Sequence, residues 1–330
     1  MRELVSVILP YRDAQDTLRE ALASVLAQEG VALEVLAIDD GSRDASTDIV
    51  RDLSARDARV VPLRTGGEGL VAALELGRAR AKGAWIARMD ADDIALPGRL
   101  AVQLDALRAM PRAGAIGTRV EPFGEVGEGM RRYVEWQNSL VTPEDHARDL
   151  FVEAPLCHPS VMLRREALDE VGGFRDVGWA EDYDLWLRLD AAGWQLAKVP
   201  AVLLRWRRRA SSATFTDPRY SAEAMRRARA AFLAPRLGGR TVAIWGAGPT
   251  GRRLARELER HGVRASFFVD IDPRKIGRTA RGAPVLGAGA LVPGAHFVVV
   301  AVGAPGAREL VRAELRRRGF VEGEQFVCAS

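Results

Sequence analysis

Along the N-terminal part of the chain, apolar runs of strand length alternate with segments of helical pattern. The predicted strands and the helices that follow them are, in order, Val5–Leu9, Thr17–Gln28, Glu34–Ile38, Ser46–Leu53, Val60–Leu63 and Leu70–Ala81. Strands and helices in this order form a parallel sheet that is covered by helices on both faces. The pattern becomes less regular from about Gly114 to Arg209, which we interpret as an α+β completion of the same α/β domain.

The alternation restarts near the C-terminus. Val242–Trp245 is predicted as a strand, Arg252–His261 as a helix and Ala265–Val269 as a second strand. A single hydrophobic core seldom grows beyond about 250–300 residues, so a chain of 330 residues is expected to form two domains. We predict a first domain at residues 1–212, a linker helix at 213–238 and a smaller Rossmann-like α/β domain at 239–330.

Composition excludes several classes of protein. Hydrophobic residues make up 48% of the chain and charged residues 28%, which is typical of a globular protein and not of a disordered one. No apolar run approaches the roughly 18 residues of a membrane helix, and no signal peptide is recognisable. The two cysteines are too far apart for a disulfide framework. We therefore expect a cytoplasmic protein. An excess of 48 basic over 44 acidic residues is too small to indicate a nucleic-acid partner.

Three carboxylates follow a predicted buried strand, Trp85–Met89, in the segment Asp90-Ala91-Asp92-Asp93. Carboxylates this close raise one another's pKa, and a divalent cation such as Mg²⁺ or Mn²⁺ removes that cost. Polar residues also follow two other strands, at Tyr11–Asp13 and Asp39–Ser42. Because ligands of open α/β sheets bind at the carboxyl ends of strands, these segments predict one shared crevice. The alternative is an acidic surface turn that caps the next helix.

These segments resemble the signatures of a known family. The matching segments are Val5–Tyr11, Glu34–Asp44, Ala81–Asp93, Cys157–Met162, Gly172–Phe174 and Ala180–Arg188. In this order and at these spacings they resemble family 2 inverting glycosyltransferases with the GT-A fold, over about residues 3–212. The resemblance implies a nucleotide-diphospho-sugar transferase domain, a Mn²⁺ or Mg²⁺ cofactor, and transfer of a sugar to a hydroxyl of a glycan or glycolipid.

The resemblance also implies roles for individual residues. Pro10, Tyr11 and Asp13 match the loop along the nucleotide base and ribose, and Asp40 matches the carboxylate that accepts from the uracil imide nitrogen. The segment Asp90-Ala91-Asp92 matches the motif that binds metal and diphosphate, with Asp92 as the more direct metal ligand. Asp182 matches the catalytic base. A single in-line displacement requires two kinds of group. One group stabilises the diphosphate leaving group, and a separate carboxylate deprotonates the acceptor hydroxyl. A purely structural role for Asp182 would be that of an acidic residue at a helix N-terminus.

The sequence departs from the family at Arg207, where many members have a histidine that can ligate the metal. A guanidinium has no acceptor lone pair and cannot bind a metal ion. We therefore predict that Arg207 binds the donor diphosphate, with a solvated basic face at Arg205–Arg209 as the alternative. A second departure is Gly66–Gly69, where an asparagine is frequent in the family.

The C-terminal domain contains a glycine fingerprint, Gly246-x-Gly248-x-x-Gly251, between a predicted strand and a helix, and Asp270 ends the next strand. This context is typical of NAD(P) or nucleotide binding. The region also resembles small Rossmann-like domains of sugar-modifying enzymes. A regulatory, ligand-binding or packing module is one interpretation, and a domain that binds nothing is another. A NAD(P)-linked oxidoreductase, or a nucleotide-sugar-binding regulatory protein, is the alternative function of the whole chain.

The expected partners are a nucleotide-sugar donor, with UDP-sugar favoured, and a glycan or lipid-linked acceptor. An arginine-rich helix near Phe232 and Leu233 could contact an anionic membrane surface, which would place the protein at the inner face of the membrane. The alternative is a helix that packs between domains. The sequence carries no signal for the oligomeric state or for the identity of the acceptor.

Overall fold

The computed structural model describes residues 3–209, 212–304 and 306–330, without the side chains of residues 213 and 214. The strands are β1 (Leu4–Tyr11), β2 (Ala32–Asp39), β3 (Val60–Arg64), β4 (Trp85–Arg88), β5 (Ile94–Ala95), β6 (Ala113–Gly124), β7 (Met162–Arg164), β8 (Gln195–Arg208), β9 (Val242–Trp245), β10 (Phe267–Val269), β11 (Thr279–Ala280), β12 (Ala283–Leu286), β13 (Phe297–Val300) and β14 (Phe326–Cys328).

The helices are α1 (Leu18–Leu26), α2 (Ser46–Ser54), α3 (Leu70–Arg80), α4 (Arg99–Ala109), α5 (Glu128–Ser139), α6 (Pro143–Asp149), α7 (Arg165–Glu170), α8 (Glu181–Ala191), α9 (Ala213–Thr216), α10 (Ala222–Leu237), α11 (Pro249–Arg260) and α12 (Ala307–Arg317). Short 3-10 helices occur at His158–Ser160, Pro218–Tyr220 and Ala288–Ala290. Within the described ranges, no helix combines the length and the apolar character that a bilayer span requires.

The chain divides into two compact units, and the first comprises residues 1–146, 155–177 and 184–216. Its sheet has eight strands in the order β3-β2-β1-β4-β7-β6-β8-β5. The predicted parallel arrangement is confirmed for β1 to β4. Beyond β4 the sheet becomes mixed, because β7 runs antiparallel to both β4 and β6 and β5 runs antiparallel to β8. The less regular half of this domain thus extends the same sheet.

The centre of this sheet is buried on both faces. Seven of the eight residues of β1 are buried, and β2 has the same pattern. This follows from their nearly continuous apolar sequences, which suit strands covered by helices on both sides. The exception in β1 is Ser6, whose hydroxyl donates to Glu34 of β2 at 2.6 Å and accepts from the backbone N–H of Gly83 at 2.8 Å. The buried polar group is therefore satisfied.

The second unit comprises residues 147–154, 178–183 and 217–330. Its six-stranded sheet has the order β11-β12-β10-β9-β13-β14, and all neighbours are parallel except β11 and β12. The predicted strand, glycine turn, helix and strand are present as β9, the turn at 246–248, α11 and β10. The arginine-rich helix expected near Phe232 is α10, which packs against α11 and is capped by the Ser221 hydroxyl.

Candidate functional site

Polar residues of the first unit meet at the carboxyl edge of its parallel strands. β1 pairs with β2 in a register that sets Tyr11 opposite Asp39, and the backbone N–H of Asp40 donates to the Tyr11 carbonyl at 2.9 Å. β4 lies on the other side of β1, and Asp90 follows its end by two residues. The predicted site residues that follow β1, β2 and β4 therefore lie along one edge of the sheet.

The loops after β1 and β2 are joined by hydrogen bonds. Asp13, at a positive φ of 48°, accepts from the backbone N–H of Arg43 at 2.8 Å, and its own N–H donates to the Ser42 hydroxyl at 3.1 Å. Despite burial, the pKa of Asp39 is lowered by hydrogen bonds from Ser42 and Thr47. Pro10 and Tyr11 are buried beside this loop pair. Burial, and then the charge of Asp39, raise the pKa of the Tyr11 phenol, so Tyr11 stays neutral.

Asp40 is held by the loop that follows β3. Its Oδ1 accepts from the Thr65 hydroxyl at 2.6 Å, and the N–H of Gly69 lies 3.1 Å from both carboxylate oxygens. The Arg12 guanidinium lies farther away, 3.9 Å from Oδ2. The sequence indicated Asp40 but not Thr65. The available signal for Thr65 was a hydroxyl residue two positions after the predicted strand Val60–Leu63.

Asp90, Asp92 and Asp93 form a compact acidic cluster. One oxygen from each carboxylate falls within a group whose members are all within 4.8 Å of one another. Burial, and then the charge of Asp90, raise the pKa of Asp92 to about 6, and the same two causes raise the pKa of Asp93 well above its usual value. Asp93 is fully buried, and its Oδ2 has no hydrogen-bond partner among the residues that the structure describes. Such an oxygen is an energetic cost that a bound cation would remove.

Two buried arginines that sequence reasoning missed support the cluster. Arg88, at the end of β4, forms an ion pair of 2.6 Å with Asp90 Oδ1. Arg99 is fully buried at the start of α4 and donates to the Arg88 carbonyl at 2.7 Å, and burial lowers its pKa to about 10. A charged residue inside an otherwise apolar strand was the available signal for Arg88. These cations leave Asp90 Oδ2, Asp92 and Asp93 as the oxygen ligands that suit Mg²⁺ or Mn²⁺.

Arg207 of β8 is attached to the same cluster. Its backbone N–H donates to Asp93 Oδ1 at 2.7 Å, and its Nε donates to the Asp92 carbonyl at 2.7 Å. Nη2 reaches Glu20 at 2.7 Å, and the guanidinium lies 4.4 Å from the ring centroid of Phe123. Arg207 therefore braces the loop of the acidic cluster, while Nη1 makes no hydrogen bond to the described residues. Its role in diphosphate binding stays a prediction.

Asp182 is the second residue of α8, in a segment that belongs to the second unit. It is half-buried, and its Oδ1 accepts from the backbone N–H of Tyr183 at 2.6 Å. Its neighbour Glu181 is buried and accepts from the Tyr220 hydroxyl. The start of α8 thus carries one carboxylate that is engaged by a tyrosine and one that is partly accessible. The assignment of Asp182 as catalytic base stays a prediction.

The glycine fingerprint of the second unit has identifiable packing roles. A Cβ at Gly251 would lie 1.9 Å from the Gly246 carbonyl oxygen, and one at Gly246 would lie 2.3 Å from the Ala301 carbonyl oxygen. Asp270 Oδ2 accepts from the N–H of Ala247 and from Lys275 Nζ, both at 3.0 Å, and Oδ1 accepts from the N–H of Asp272 at 3.0 Å. A cavity of about 190 Å³ lies beside these residues, lined mainly by apolar side chains such as Ile271 and Leu310.

A carboxylate cluster at the carboxyl edge of an open α/β sheet is typical of α/β proteins that bind their ligands beyond the ends of the strands. The sequence matches the family model described as glycosyl transferase family 2 over residues 6–172, which is about half of the chain. The chain therefore belongs to glycosyl transferase family 2, and the resemblance of its motifs to that family is confirmed.

Individual proteins agree with this assignment. The amylovoran biosynthesis glycosyltransferase AmsE of Erwinia amylovora is 28% identical over 207 residues, which cover 62% of this chain and 75% of AmsE. The S. aureus TarS 1-349 structure in complex with UDP-GlcNAc aligns with a TM-score of 0.56 and 17% identity, over 79% of this chain and 72% of that chain. The mannosyltransferase PcManGT from Pyrobaculum calidifontis, in complex with GDP-Man and Mn²⁺, aligns with a TM-score of 0.50 and 22% identity.

That alignment covers 71% of this chain and 63% of the mannosyltransferase chain, which is less than two thirds of its length. At these identities the two structures show the fold, which is of the expected GT-A type. The chain thus belongs to a glycosyltransferase family, has a fold of the GT-A type and contains a second α/β unit. None of these proteins supports NAD(P) as a cofactor, and the oxidoreductase alternative is not favoured.

Proposed function

We propose that this glycosyltransferase moves a sugar from a nucleoside diphosphate, with UDP-sugar as the first candidate, to a hydroxyl of a glycan or glycolipid, with inversion and with the assistance of a divalent metal ion. The observation that carries the proposal is the acidic cluster at the carboxyl edge of the sheet, in which a fully buried carboxylate oxygen of Asp93 has no partner in the described part of the chain. This arrangement is favourable when a cation balances the charge.

Asp92 and Asp90 are the proposed metal ligands, and Asp93 Oδ2 offers a third carboxylate oxygen of the same cluster. A bound Mn²⁺ or Mg²⁺ ion stabilises the negative charge of a diphosphate leaving group as a Lewis acid. Arg207 braces the backbone of this loop through the Asp92 carbonyl and keeps Nη1 available for a phosphate oxygen. The segment Asp90-Ala91-Asp92 would then lie along the diphosphate.

The remaining roles belong to residues after β1 and β2 and to one residue of α8. Pro10, Tyr11 and Asp13 are proposed to lie along the base and ribose, and Asp40 to accept from the base. Asp182 is proposed to take the proton of the acceptor hydroxyl as that oxygen attacks the anomeric carbon. A single displacement by an oxygen on the face opposite the leaving group inverts the configuration of that carbon.

The names of similar proteins support individual parts of the proposal. UDP-GlcNAc and GDP-Man are the ligands of the two aligned structures, which supports a nucleoside diphosphate sugar and a hexosyl group. Mn²⁺ accompanies GDP-Man in one of them. The relative AmsE is named for the biosynthesis of amylovoran, which supports a glycan acceptor. A lipid-linked acceptor would bring the protein to the inner face of a membrane.

A donor screen tests the proposal. Purified protein is incubated with Mn²⁺ and UDP-, GDP- or dTDP-sugars, and release of nucleoside diphosphate is measured with and without candidate glycan acceptors. We expect release to depend on metal, and Asp92→Asn and Asp182→Asn to lower kcat by at least about 100-fold. The anomeric configuration of the product, read by NMR, tests inversion.

Asp105→Asn is the matched control, because Asp105 is a well-exposed carboxylate on α4 that pairs with Arg108. This variant should keep the wild-type rate. Full transfer by Asp182→Asn to a proven acceptor would refute the assignment of the base. Turnover that is unaffected by EDTA and by Asp92→Asn would refute the metal-assisted mechanism.

A further inference from the structure

The way in which Asp40 is held limits what it can still bind. A carboxylate has about four lone-pair directions, two on each oxygen. Oδ1 accepts from the Thr65 hydroxyl at 2.6 Å and shares the N–H of Gly69 at 3.1 Å, so both of its directions are used. Within the described ranges of the chain, Oδ2 accepts only the other branch of the Gly69 N–H, also at 3.1 Å. One direction on Oδ2 therefore remains for a ligand.

Little of the Asp40 carboxylate is accessible. The number of lone-pair directions left on it therefore decides which ligand donors it can accept. The side chain is 9% exposed, and the nearest arginine nitrogen lies 3.9 Å from Oδ2, beyond hydrogen-bond distance. A base that approaches Asp40 thus meets a nearly buried group whose Oδ1 already has two donors. Buried polar groups of this kind discriminate strongly, because a ligand donor without an acceptor loses its hydration and gains nothing.

The two loops beside Asp40 are pressed together at glycines. A Cβ at Gly41, where φ is +81°, would lie 3.2 Å from the Cα of Gly67. Gly67 in turn lies in the loop between Thr65 and Gly69 that holds the carboxylate. This close approach holds the loop that carries Thr65 against the loop that carries Asp40. The hydrogen bond from Thr65 to Asp40 thus joins two loops whose backbones are already packed together.

We propose that Thr65 is a specificity-determining residue: by occupying Oδ1 of Asp40 it restricts the site to bases that present a single imide N–H, which are uracil and thymine. Guanine presents two adjacent donors on one edge, and both carboxylate oxygens are needed to accept them. With Oδ1 filled, Asp40 offers no acceptor to the second guanine donor. This inference rests on the proposed function, in which Asp40 faces the base of the donor.

Binding of nucleoside diphosphates to the full chain tests this directly. Titration calorimetry in the presence of Mn²⁺ compares UDP, dTDP and GDP on the wild type, Thr65→Val and Thr65→Ser. We expect the wild type to bind UDP and dTDP at least about tenfold more tightly than GDP. Thr65→Val keeps the shape but loses the hydroxyl, so its preference for UDP over GDP should shrink severalfold. Thr65→Ser keeps the hydroxyl and should retain the preference.

Thr279→Val is the matched control, because Thr279 is exposed in the second unit and should not affect selectivity. If Thr65→Val does not fold, Thr65→Ala carries the same expectation. Wild-type protein that binds GDP as tightly as UDP would overturn the inference and leave the proposed function intact. An unchanged preference in Thr65→Val would also overturn it. If no nucleoside diphosphate binds the wild type, the proposed function fails together with the inference.

Discussion

At the scale of single residues, the first unit keeps several charged side chains away from water. Asp93 and Arg99 are at most 1% exposed, and Lys198 of β8 is 4% exposed. Asp93 is part of the acidic cluster and Arg99 hydrogen-bonds to the Arg88 carbonyl beside it, so the free-energy cost of burying them is tied to the site. Lys198 is held differently, since its ammonium donates to the backbone carbonyls of Gln137 and Pro155. Two neutral acceptors do not compensate fully for the loss of hydration.

Lys198 should make stability dependent on pH. Burial lowers the pKa of Lys198 to about 7, whereas an unfolded lysine titrates near about 10.4. The unfolded chain therefore binds more protons between these values, so the free energy of unfolding should rise with pH. We expect Lys198→Met to remove on the order of 2 kcal/mol of this rise between about pH 7 and 9, measured by urea denaturation.

Lys82→Met is the control for this measurement, because Lys82 is exposed and its side chain forms none of the described contacts. Its unfolding curve should follow the pH dependence of the wild type. An identical slope in the wild type and in Lys198→Met would contradict the prediction. The absolute stability of Lys198→Met is not the readout, since the methionine also removes two hydrogen bonds.

At the scale of elements, the position of the acidic cluster depends on how closely β4 enters the sheet beside β1. The turn before β4 approaches β1 at Gly83, whose N–H donates to the Ser6 hydroxyl at 2.8 Å. The N–H of Lys82 donates to Glu34 of β2 at 2.7 Å. One buried serine and one buried glutamate thus fix the start of β4 against two neighbouring strands, and the strand then leads into the cluster.

We predict that Gly83→Ala destabilises the protein by more than about 2 kcal/mol. An added Cβ would lie 2.3 Å from the Leu4 carbonyl oxygen and 2.9 Å from the Ser6 nitrogen, which are backbone atoms of β1. The strands would have to separate to accept it. Thermal or urea unfolding measures the loss.

Gly129→Ala is the matched control, because Gly129 lies in α5 with no atom within 4 Å of the added Cβ. Alanine is the better helix former, so this change should stabilise the protein by up to about 1 kcal/mol. A loss of stability in both variants, or in neither, would show that the close approach at Gly83 is not the cause.

At the scale of the whole molecule, two sheets of the α/β class follow one another, and each has a polar segment after its central strands. In the first unit, the carboxylates of the acidic cluster keep unused oxygens. In the second, both oxygens of Asp270 are occupied by donors from its own unit. The same alternation of strands and helices therefore places a charged site after the strands of the first unit. In the second unit it places a turn whose carboxylate, Asp270, hydrogen-bonds within the unit.

We predict that the intact chain does not bind NAD(H) or NADP(H). A dinucleotide uses an acidic residue at the end of the second strand to bind its ribose. Ala247, Asp272 and Lys275 already donate to Asp270, so only one acceptor direction, on Oδ1, is left for the two hydroxyls of a ribose. Pro249, at the start of α11, has no N–H to offer a phosphate. Fluorescence titration with NADH should show no saturation at millimolar concentrations, while UDP with Mn²⁺ should raise the Tm. Saturable NADH binding that Asp270→Ala abolishes would contradict this.

Sequence patterns located the strands whose apolar runs are uninterrupted. The predicted strand Val242–Trp245 has those bounds as β9, and Trp85–Met89 is one residue longer than β4. β6 was not predicted, because glycines and Arg119 interrupt its apolar pattern. The first half of β6 is buried, and the strand lies between β7 and β8. The burial of such a strand follows from its neighbours and not from its own periodicity.

The sequence by itself determined the α/β order and placed carboxylates directly after the strands, since hydrophobic periodicity and residue type are local properties. Only the tertiary structure decided which groups meet: Thr65 with Asp40, Arg207 with Asp93 and Glu20, and Lys275 with Asp270. The first two sets join strands or helices that are distant in sequence, in the order β3-β2-β1-β4 and across to β8. Packing of the whole sheet sets the distances between these residues, and the local sequence pattern does not predict them.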